Sequence, residues 1–348
     1  MDPIDLRSDT VTKPTQAMRE AMDAAPLGDD VLEGDPSVRN LEAKVADLLG
    51  KEAALFVPSG TMANLLAVRA QTSPGEEIIC DENCHIYYYE AAGFAAVSGC
   101  SLRFTRGKRG LFTADDVARL VREDDEHFPK TSLVAVENTH NRGGGAVWPI
   151  EQLAELYGES KTHGLLVHMD GARLWNACAQ AELAPADFAE FADTISVCFS
   201  KGLGCPFGSA LVGDSETINR ARRLRKVIGG AMRQAGLLAA AASYALDHNR
   251  DRMTKDHARA QILASKVAEI PGLTLDADRV QTNMLYFTVD PSLGTAREFC
   301  QKLDDRVRML DEGPQSVRAV VHLHITDEDI DKAADEIAAA VGTQSVSA

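Results

Sequence analysis

Two charged side chains follow apolar, strand-like segments and could do chemistry together. Asp170 directly follows the apolar segment 165–169, and Lys201 lies just after the apolar segment 194–199. Ligands bind at the carboxyl ends of strands in open α/β sheets, so both side chains are expected at one sheet edge. Burial or nearby cations lower the pKa of a lysine and make its amine a usable nucleophile. A helix-capping aspartate and an ordinary loop lysine are the alternatives for each segment taken alone.

A third segment has the composition of an anion site. Residues 57–64 combine a strand end, a turn of small residues at Ser59, Gly60 and Thr61, and the start of a helix. Free backbone N–H groups and the helix dipole bind anions at such a junction. The segment is neither a Walker loop nor a dinucleotide fingerprint, and no Gly-x-Gly-x-x-Gly follows a strand. This pattern disfavours nucleotide-dependent enzymes, including nicotinamide oxidoreductases.

Together the three segments predict one cofactor, pyridoxal 5'-phosphate. A lysine can form its Schiff base, an aspartate can face its pyridinium nitrogen, and an anion cradle can bind its phosphate. The chain has seven cysteines and no Cys-x-x-Cys pair, which predicts neither a disulfide framework nor a zinc site. Such cysteines are typical of small buried side chains in a reducing cytosol. No metal is therefore expected.

The elements that must position these residues alternate between helical and strand patterns from about residue 36. Asp35 and Pro36 are typical of a helix N-cap and first turn, and Gly50 ends that helix. Strands covered on both faces are nearly all apolar. The predicted strands are 53–57, 77–80, 102–105, 133–136, 165–169, 194–199 and 209–212. The predicted fold class is α/β, with a mostly parallel sheet covered by helices.

A change in composition after about residue 250 indicates a second, smaller C-terminal α/β domain. Its predicted strands are 283–289 and 317–325, and its predicted helices are 297–310 and 327–341. Proline and glycine breaks in the first 30 residues are typical of a packed arm. The predicted organisation is an arm at 1–30, a large domain at 31–249 and a small domain at 250–348.

The charge balance excludes several classes of partner. The 348 residues carry a formal net charge of −16. Nucleic acids and anionic membranes select basic surfaces, so neither is an expected partner. No apolar signal segment opens the chain, and the longest uncharged apolar stretch, 235–246, is shorter than the ~20 residues that a bilayer requires. A cytoplasmic protein is expected, and any anionic ligand needs a local cationic cluster.

The sequence resembles the threonine aldolases, a family of fold type I enzymes that depend on pyridoxal phosphate, over essentially the whole chain. The opening motif and the Gly-Gly-x-Met-Arg-Gln motif are more specific than a lysine alone. The segments that carry the resemblance are 5–12, 28–31, 59–61, 137–140, 168–173, 200–204 and 229–234. The resemblance implies a transferase-like large domain of the pyridoxal-phosphate type.

The resemblance also implies a role for individual residues. The implied catalytic residues are Lys201, His85 and His127. The implied cofactor-binding residues are Ser59, Gly60, Thr61, His85, Asp170, Arg173, Lys201, Lys226 and Arg233. The implied substrate-binding residues are Ser8, His127, Arg173 and Arg318. Planar guanidinium groups suit the substrate carboxylate because they donate two parallel hydrogen bonds. Ordinary surface or core positions are the alternatives for both histidines and for Arg318.

The implied reaction is carbon–carbon lysis, the retro-aldol cleavage of L-threonine, L-allo-threonine or a related 3-hydroxy amino acid to glycine and an aldehyde. His85 and His127 are the candidate bases for the β-hydroxyl proton. Relatives are usually tetramers or dimers, so a homo-oligomer with shared active sites is implied. The alternatives are another pyridoxal-phosphate reaction, such as β-elimination, racemisation or serine–glycine exchange, and an inactive binding or scaffold protein.

Overall fold

The computed structural model of the chain describes residues 2–342, in which strands and helices alternate. The strands are β1 Ile4–Asp5, β2 Ala53–Val57, β3 Glu77–Asp81, β4 Ser101–Thr105, β5 Thr131–Glu137, β6 Leu166–Gly171, β7 Thr194–Cys198, β8 Ser209–Gly213, β9 Leu273–Thr274, β10 Met284–Val289, β11 Val307–Arg308, β12 Leu310–Asp311 and β13 Ser316–Val320.

The helices include several that are long enough to cover a sheet. They are α1 Gln16–Asp23, α2 Pro36–Leu48, α3 Gly60–Gln71, α4 His85–Tyr88, α5 Gly93–Ala96, α6 Ala114–Leu120, α7 Ile150–Thr162, α8 Leu174–Ala181, α9 Pro185–Ala189, α10 Ser215–Val227, α11 Gly236–His248, α12 Met253–Ala268, α13 Ala296–Leu303 and α14 Asp327–Gly342. Within residues 2–342, none of them is long and apolar enough to cross a membrane.

The large sheet has the strand order β2-β8-β7-β6-β5-β3-β4. Strands β3 to β7 pair in parallel, whereas β8 runs antiparallel to both of its neighbours, β2 and β7. The predicted mostly parallel sheet is therefore confirmed. Because β6 and β7 are parallel neighbours, the residues that follow them meet at one edge.

Apolar side chains cover both faces of this sheet. In β2, Phe56 packs into one large core together with Val167 and Val197, while Leu55 and Val57 pack into a second core against α3 and α10. Successive side chains of a strand point to opposite faces, so an all-apolar strand fills both cores. This is why the predicted strand runs are apolar throughout and show no alternation.

The predicted start of α2 is confirmed in detail. Asp35 caps the helix, with its side chain accepting hydrogen bonds from the backbone N–H groups of Ser37 and Val38 at 2.9 and 3.2 Å. The same buried carboxylate accepts from the N–H groups of Gly28 and Gly236, each at 3.0 Å. One cap therefore also ties the N-terminal segment and α11 to the large sheet.

A second, four-stranded sheet has the order β12-β13-β10-β9 and packs against α12, α13 and α14. The smaller C-terminal α/β part of the fold is therefore confirmed, whereas the domain boundaries stay predictions. Strand β13 ends at Val320, because Ile325 donates to the carbonyl of His322 at 2.9 Å and closes a turn. Helix α13 ends at Leu303, since the following residues form β11 and β12.

The N-terminal segment crosses from one core to the other. Strand β1 pairs in parallel with β11, and the side chain of Leu6 is fully buried in the core of the second sheet. Three residues later, Asp9 is fully buried and bonds to Arg173, which follows β6 of the large sheet. This crossing brings the opening motif to the sheet edge that carries Asp170 and Lys201.

Candidate active site

Asp170 and Lys201 meet at the carboxyl ends of β6 and β7. Asp170 is the fifth residue of β6 and pairs across to Ser196 of β7. The Lys201 backbone carbonyl accepts from Thr12 at 3.2 Å, which holds its loop against the N-terminal segment. Among the described residues, no side chain forms a hydrogen bond or an ion pair with the Lys201 amine. An amine without a fixed partner at this edge can, once deprotonated, serve as a nucleophile.

The Asp170 carboxylate is buried and held on both oxygens. Oδ1 accepts from the backbone N–H of Ala172 at 3.0 Å, and Oδ2 accepts from Asn64 Nδ2 at 2.8 Å. Burial works against its charge, but His85 in its protonated form, Lys201 and the hydrogen bonds from Ala172 and Asn64 outweigh it and lower the pKa of Asp170. The group is therefore an anion that can keep a proton on a basic nitrogen placed beside it.

The start of α3 forms a cradle for an anion. Ser59 caps the helix by accepting from the N–H of Met62 at 3.2 Å, while the N–H groups of Gly60 and Thr61 have no acceptor within residues 2–342. A Cβ at Gly60 would lie 2.7 Å from the sulfur of Cys198, so only glycine lets this turn approach β7. The free N–H groups and the helix dipole suit a phosphate.

His85 stands at the start of α4, after β3. Its backbone N–H donates to Glu137 and its ring Nδ1 bonds to Glu90, both at 2.7 Å. Burial opposes protonation, yet the hydrogen bond to Glu90 and the charges of Asp170 and Glu137 raise the pKa of His85 above its ordinary value. The side chain keeps 28% of its surface exposed, so a ligand can reach part of the ring.

Arg173 and Arg318 lie on opposite sides of one amide. Asn141 Oδ1 accepts from NH1 of each guanidinium at 3.3 Å. The Asp9 carboxylate accepts hydrogen bonds from NH2 and Nε of Arg173, at 2.7 and 2.8 Å. These two guanidinium nitrogens are therefore already bound to a carboxylate. Only the NH1 side of Arg173 is left for a ligand. Ser8 is the neighbour of Asp9 in the chain, and its hydroxyl accepts from the N–H of Thr10 at 3.2 Å.

Arg318 reaches the same place from β13. Its NH2 donates to the carbonyl of Arg7 at 3.2 Å and its NH1 pairs with Glu312 at 2.9 Å. Its Nε is buried and has no partner among residues 2–342. Glu312 also pairs with Arg142 at 3.4 Å. Three guanidiniums therefore meet two carboxylates, Asp9 and Glu312, and the one positive charge in excess matches one bound carboxylate.

Lys226 and Arg233 lie at the surface of the protein. Both side chains are exposed, and Arg233 pairs with Asp29 at 3.0 Å. The turn between them packs on the first turn of α3, because a Cβ at Gly230 would lie 2.2 Å from the sulfur of Met62. The structure thus brings this segment near the phosphate cradle but gives neither cation a contact with Ser59, Gly60 or Thr61.

His127 is not brought to the other candidate residues. It lies in the loop between α6 and β5, where 77% of its side chain is exposed and Nδ1 bonds to Asp125 at 2.6 Å. Within the described part of the chain, its ring contacts none of the other site residues. Its role in catalysis stays a prediction.

Several residues at the site were missed by sequence reasoning. Asn64 and Asn141 follow recognised motifs directly and could have been considered on that ground, whereas Glu90 and Glu312 carry no sequence signal. Arg225, which the sequence shows only as part of a basic run, is buried and donates to the carbonyl of Phe56 at 2.7 Å. It anchors the strand end that leads into the anion cradle.

Comparisons with known proteins give the family of the chain. The profile of the Beta-eliminating lyase family matches residues 5–290. "Low-specificity L-threonine aldolase 1" of Arabidopsis thaliana is 40% identical over 336 residues, covering 95% of this chain and 94% of its own. "Low specificity L-threonine aldolase" of Escherichia coli (strain K12) is 41% identical over 328 residues, covering 94% and 96%.

A solved structure of a Leishmania major threonine aldolase shares the fold, with a TM-score of 0.81 at 21% identity, over 96% of this chain and 98% of that one. The family match spans most of the chain, and both relatives are at least 40% identical over more than nine tenths of it. The chain therefore belongs to the Beta-eliminating lyase family and, within it, to the low-specificity L-threonine aldolases.

Proposed function

We propose that the chain binds pyridoxal 5'-phosphate and cleaves L-threonine, L-allo-threonine and related 3-hydroxy amino acids to glycine and an aldehyde. The observation that carries this proposal is the unpaired amine of Lys201 beside the ionised Asp170. Lys201 acts electrostatically on Asp170 and also on Asp9, which holds the arginine of the carboxylate clamp. The Lys201 amine thus helps to keep a carboxylate ionised at both the cofactor end and the substrate end of the site.

The described residues fit the cofactor. The free N–H groups of Gly60 and Thr61 would hold the phosphate, and Asp170 would keep a proton on the ring nitrogen. His85 would stack on the ring, and Lys201 would attach the cofactor aldehyde. When bound, pyridoxal phosphate supplies a conjugated ring that accepts the electron pair released as the Cα–Cβ bond breaks.

The side chains of this chain then account for the remaining steps. Arg173 and Arg318 would bind the substrate carboxylate and set the Cα–Cβ bond across the ring plane. A base must take the β-hydroxyl proton as the bond breaks. His85 is favoured over His127 for this role, because it is partly buried and bonds to Glu90, while His127 lies on the surface.

The test is the Lys201→Ala variant. It is expected to lose the absorbance band near 420 nm (a value typical of lysine-bound pyridoxal phosphate) and to lose turnover at least about 1000-fold, since the attacking amine is removed. Lys255→Ala, which changes an exposed lysine of α12, is the matched control and should keep both. Wild-type turnover in Lys201→Ala would overturn the proposal.

The family match gives a second candidate, β-elimination, and the product decides between the two. Threonine and serine should be supplied separately, with acetaldehyde, glycine, ammonia and oxo acid measured. Glycine and acetaldehyde from threonine are expected. Ammonia with an oxo acid in their place would establish the eliminating reaction.

We also propose a homo-oligomer, a dimer or tetramer, in a cytoplasmic setting. Tyr87, Tyr88 and Tyr89 follow His85 and are 42%, 50% and 41% exposed, an unusual aromatic surface beside a site. Lys226 and Arg233 are exposed cations that a neighbouring subunit's phosphate site could use. All seven cysteines carry free thiols, which supports a reducing compartment. Sedimentation equilibrium measures the assembly, and a monomer would contradict it.

A further inference from the structure

A buried chain of hydrogen bonds runs from α3 to His85, and the steps above use only His85 and Asp170 among its members. All its members are buried or half-buried, and they come from strands β6 and β7 of the large sheet, from helices α3 and α4, and from the segment after α4. In order they are Gln71, Thr194, His168, Asn64, Glu90 and His85, with Ser196 and Asp170 as branches at Asn64.

The direction of these bonds is fixed by the carboxylates of Asp170 and Glu90, which accept from Asn64 Nδ2 and leave Asn64 Oδ1 facing His168. Burial lowers the pKa of His168 to about 4, so the ring is neutral at working pH. An amide oxygen only accepts, so the single ring hydrogen is on Nε2, which donates to Asn64 Oδ1 at 3.1 Å. His168 Nδ1 then accepts from the hydroxyl of Thr194 at 2.9 Å, and Thr194 Oγ1 accepts from Gln71 Nε2 at 2.7 Å.

Asn64 has only one orientation that satisfies this chain. Its Oδ1 accepts from His168 and from Ser196 Oγ, the latter at 2.7 Å. Its Nδ2 then points the other way and donates one hydrogen to Asp170 Oδ2 at 2.8 Å and one to Glu90 Oε1 at 2.7 Å. A flipped amide would place its oxygen against two carboxylates.

Glu90 determines which ring nitrogen of His85 carries the hydrogen. Its Oε1 bonds to His85 Nδ1 at 2.7 Å, and one ligand atom each from His85, Glu90 and Asp170 lie within 4.8 Å of one another. A carboxylate accepts, so the imidazole hydrogen sits on Nδ1 and the lone pair on Nε2. Within residues 2–342 no side chain bonds to Nε2.

We infer that Glu90 and Asn64 are positioning residues for this reaction: Glu90 holds His85 in the tautomer whose Nε2 accepts the substrate's hydroxyl proton, and Asn64 holds Glu90 and Asp170 apart. The inference rests on the proposed function. It couples the two ends of the site, because the Asn64 amide bonds both to Asp170, which would face the cofactor's ring nitrogen, and to Glu90, which orients the base His85.

The first measurement is the tautomer and titration of His85, followed by NMR in the histidine-¹⁵N-labelled full chain without added cofactor. The charged groups that face His85 are Glu90, Asp170 and Glu137. The wild type should show the Nδ1–H tautomer and a raised pKa. Glu90→Gln should lower that pKa by about one unit, the size typical of one close charge, and allow the Nε2–H tautomer.

A matched control exists on the surface. Glu159 bonds to His163 Nε2 at 2.9 Å on α7, so Glu159→Gln removes the same kind of pair far from the site. It should leave the tautomer and the pKa of His85 as they are. If Glu90→Gln does not fold, as judged by circular dichroism, Glu90→Asp keeps the charge at a longer distance and should give a smaller shift.

The second measurement is the affinity for pyridoxal 5'-phosphate, by equilibrium dialysis. Asn64→Asp replaces the donor to Asp170 and Glu90 with a third carboxyl group. Repulsion should protonate one of the three, and the dissociation constant should rise about tenfold or more, the factor for ~1.4 kcal/mol. Ser196→Ala removes only one bond to Asn64 and should change it less than threefold.

The inference is overturned if His85 keeps its tautomer and pKa in Glu90→Gln, or if Asn64→Asp binds the cofactor as tightly as the wild type. These outcomes differ from a failure of the proposed function. A wild-type protein that binds the cofactor but yields no glycine from threonine would end the proposed function, while the NMR result on His85 would stand.

Discussion

Arg173 reaches the site with its charge already neutralised. Asp9 bonds to two of its nitrogens and is itself fully buried, and burial of both ions is tolerable only because they are paired and hydrogen-bonded. The pair turns a long, flexible side chain into a rigid one. A substrate carboxylate therefore meets a guanidinium whose orientation is set before binding, so little ordering remains to be done.

The variant Asp9→Asn tests this at the residue scale. It leaves the Arg173 charge buried without a counter-ion, so the free energy of unfolding should fall by about 3–5 kcal/mol. The KM for threonine should rise more than kcat falls, because the clamp loosens. Urea denaturation and steady-state kinetics measure the two effects. Asp247→Asn, at a surface pair with Lys44, is the control and should leave both unchanged.

The pH dependence of stability is set in part by two buried histidines. Burial lowers the pKa of His168 and of His257 to about 4 each. The unfolded pKa is about 6.5, so between the two values the unfolded chain binds protons that the folded chain does not. These two groups should therefore cost no stability above pH 7 and reduce it as the pH falls from 6.5 towards 4. Urea midpoints at pH 7.5 and 5.0 measure this loss, and His257→Gln should reduce it. An unchanged loss in that variant would contradict the assignment.

Lys201 and Asp170 could be predicted from the sequence because each follows an apolar strand, and a strand end has a known place in a parallel sheet. Their partners could not be predicted in this way. Asn64 is 106 residues from Asp170, and Asp9 is 164 residues from Arg173. Local patterns carry no information about which distant polar groups meet.

At the scale of elements, strand positions in the large sheet were predicted well and ends in the small sheet were not. The large-sheet strands are apolar and bounded by turn residues, whereas the predicted strand 317–325 ends at Val320, where a turn begins. The predicted helix 297–310 ends at Leu303 because β11 pairs with β1 from the other end of the chain. Tertiary pairing overrode local propensity at both points.

The loop that carries Lys201 depends on one backbone conformation. Gly204 donates to the Lys201 carbonyl at 2.8 Å and has φ of +79°, and an added Cβ would lie 2.6 Å from Leu323 Cδ2. Gly204→Ala should therefore cost about 1–2 kcal/mol of unfolding free energy and weaken cofactor binding.

Gly158→Ala is the control for this change, since Gly158 lies within α7 and an added Cβ would meet nothing within 4 Å. That variant should stabilise the protein by about 0.5–1 kcal/mol. Thermal and urea unfolding measure both. Equal stability of the two variants would show that the Lys201 loop is not strained by a side chain at 204.

At the scale of the molecule, the segment 4–9 links the two cores. Its Leu6 is buried under the small sheet, and the next residues present a carbonyl to Arg318 and a carboxylate to Arg173. The net charge of −16 describes the outer surface of the chain. The cluster of Arg173, Arg318 and Arg142 with Asp9 and Glu312 is a small cationic exception, and this segment closes it.

The variant Leu6→Ala should act on both stability and binding. Removing a fully buried leucine should lower the free energy of unfolding by about 2–5 kcal/mol. The KM for threonine should also rise, because Ser8 and the carbonyl of Arg7 lose their anchor. Leu237→Ala, at a 39% exposed position of α11, is the control. A stability loss without any change in KM would show that the two cores do not communicate through this segment.

The pairing of β1 with β11 also has a consequence for how the protein is made. Ile4 is synthesised roughly 300 residues before its partner Val307. At typical translation speeds the first strand waits roughly 15 to 60 s for its partner. The carboxylate clamp needs Arg318 from still later in the chain. The clamp can therefore form only after Arg318 has been synthesised, and a chain that stops before Arg318 should bind no substrate.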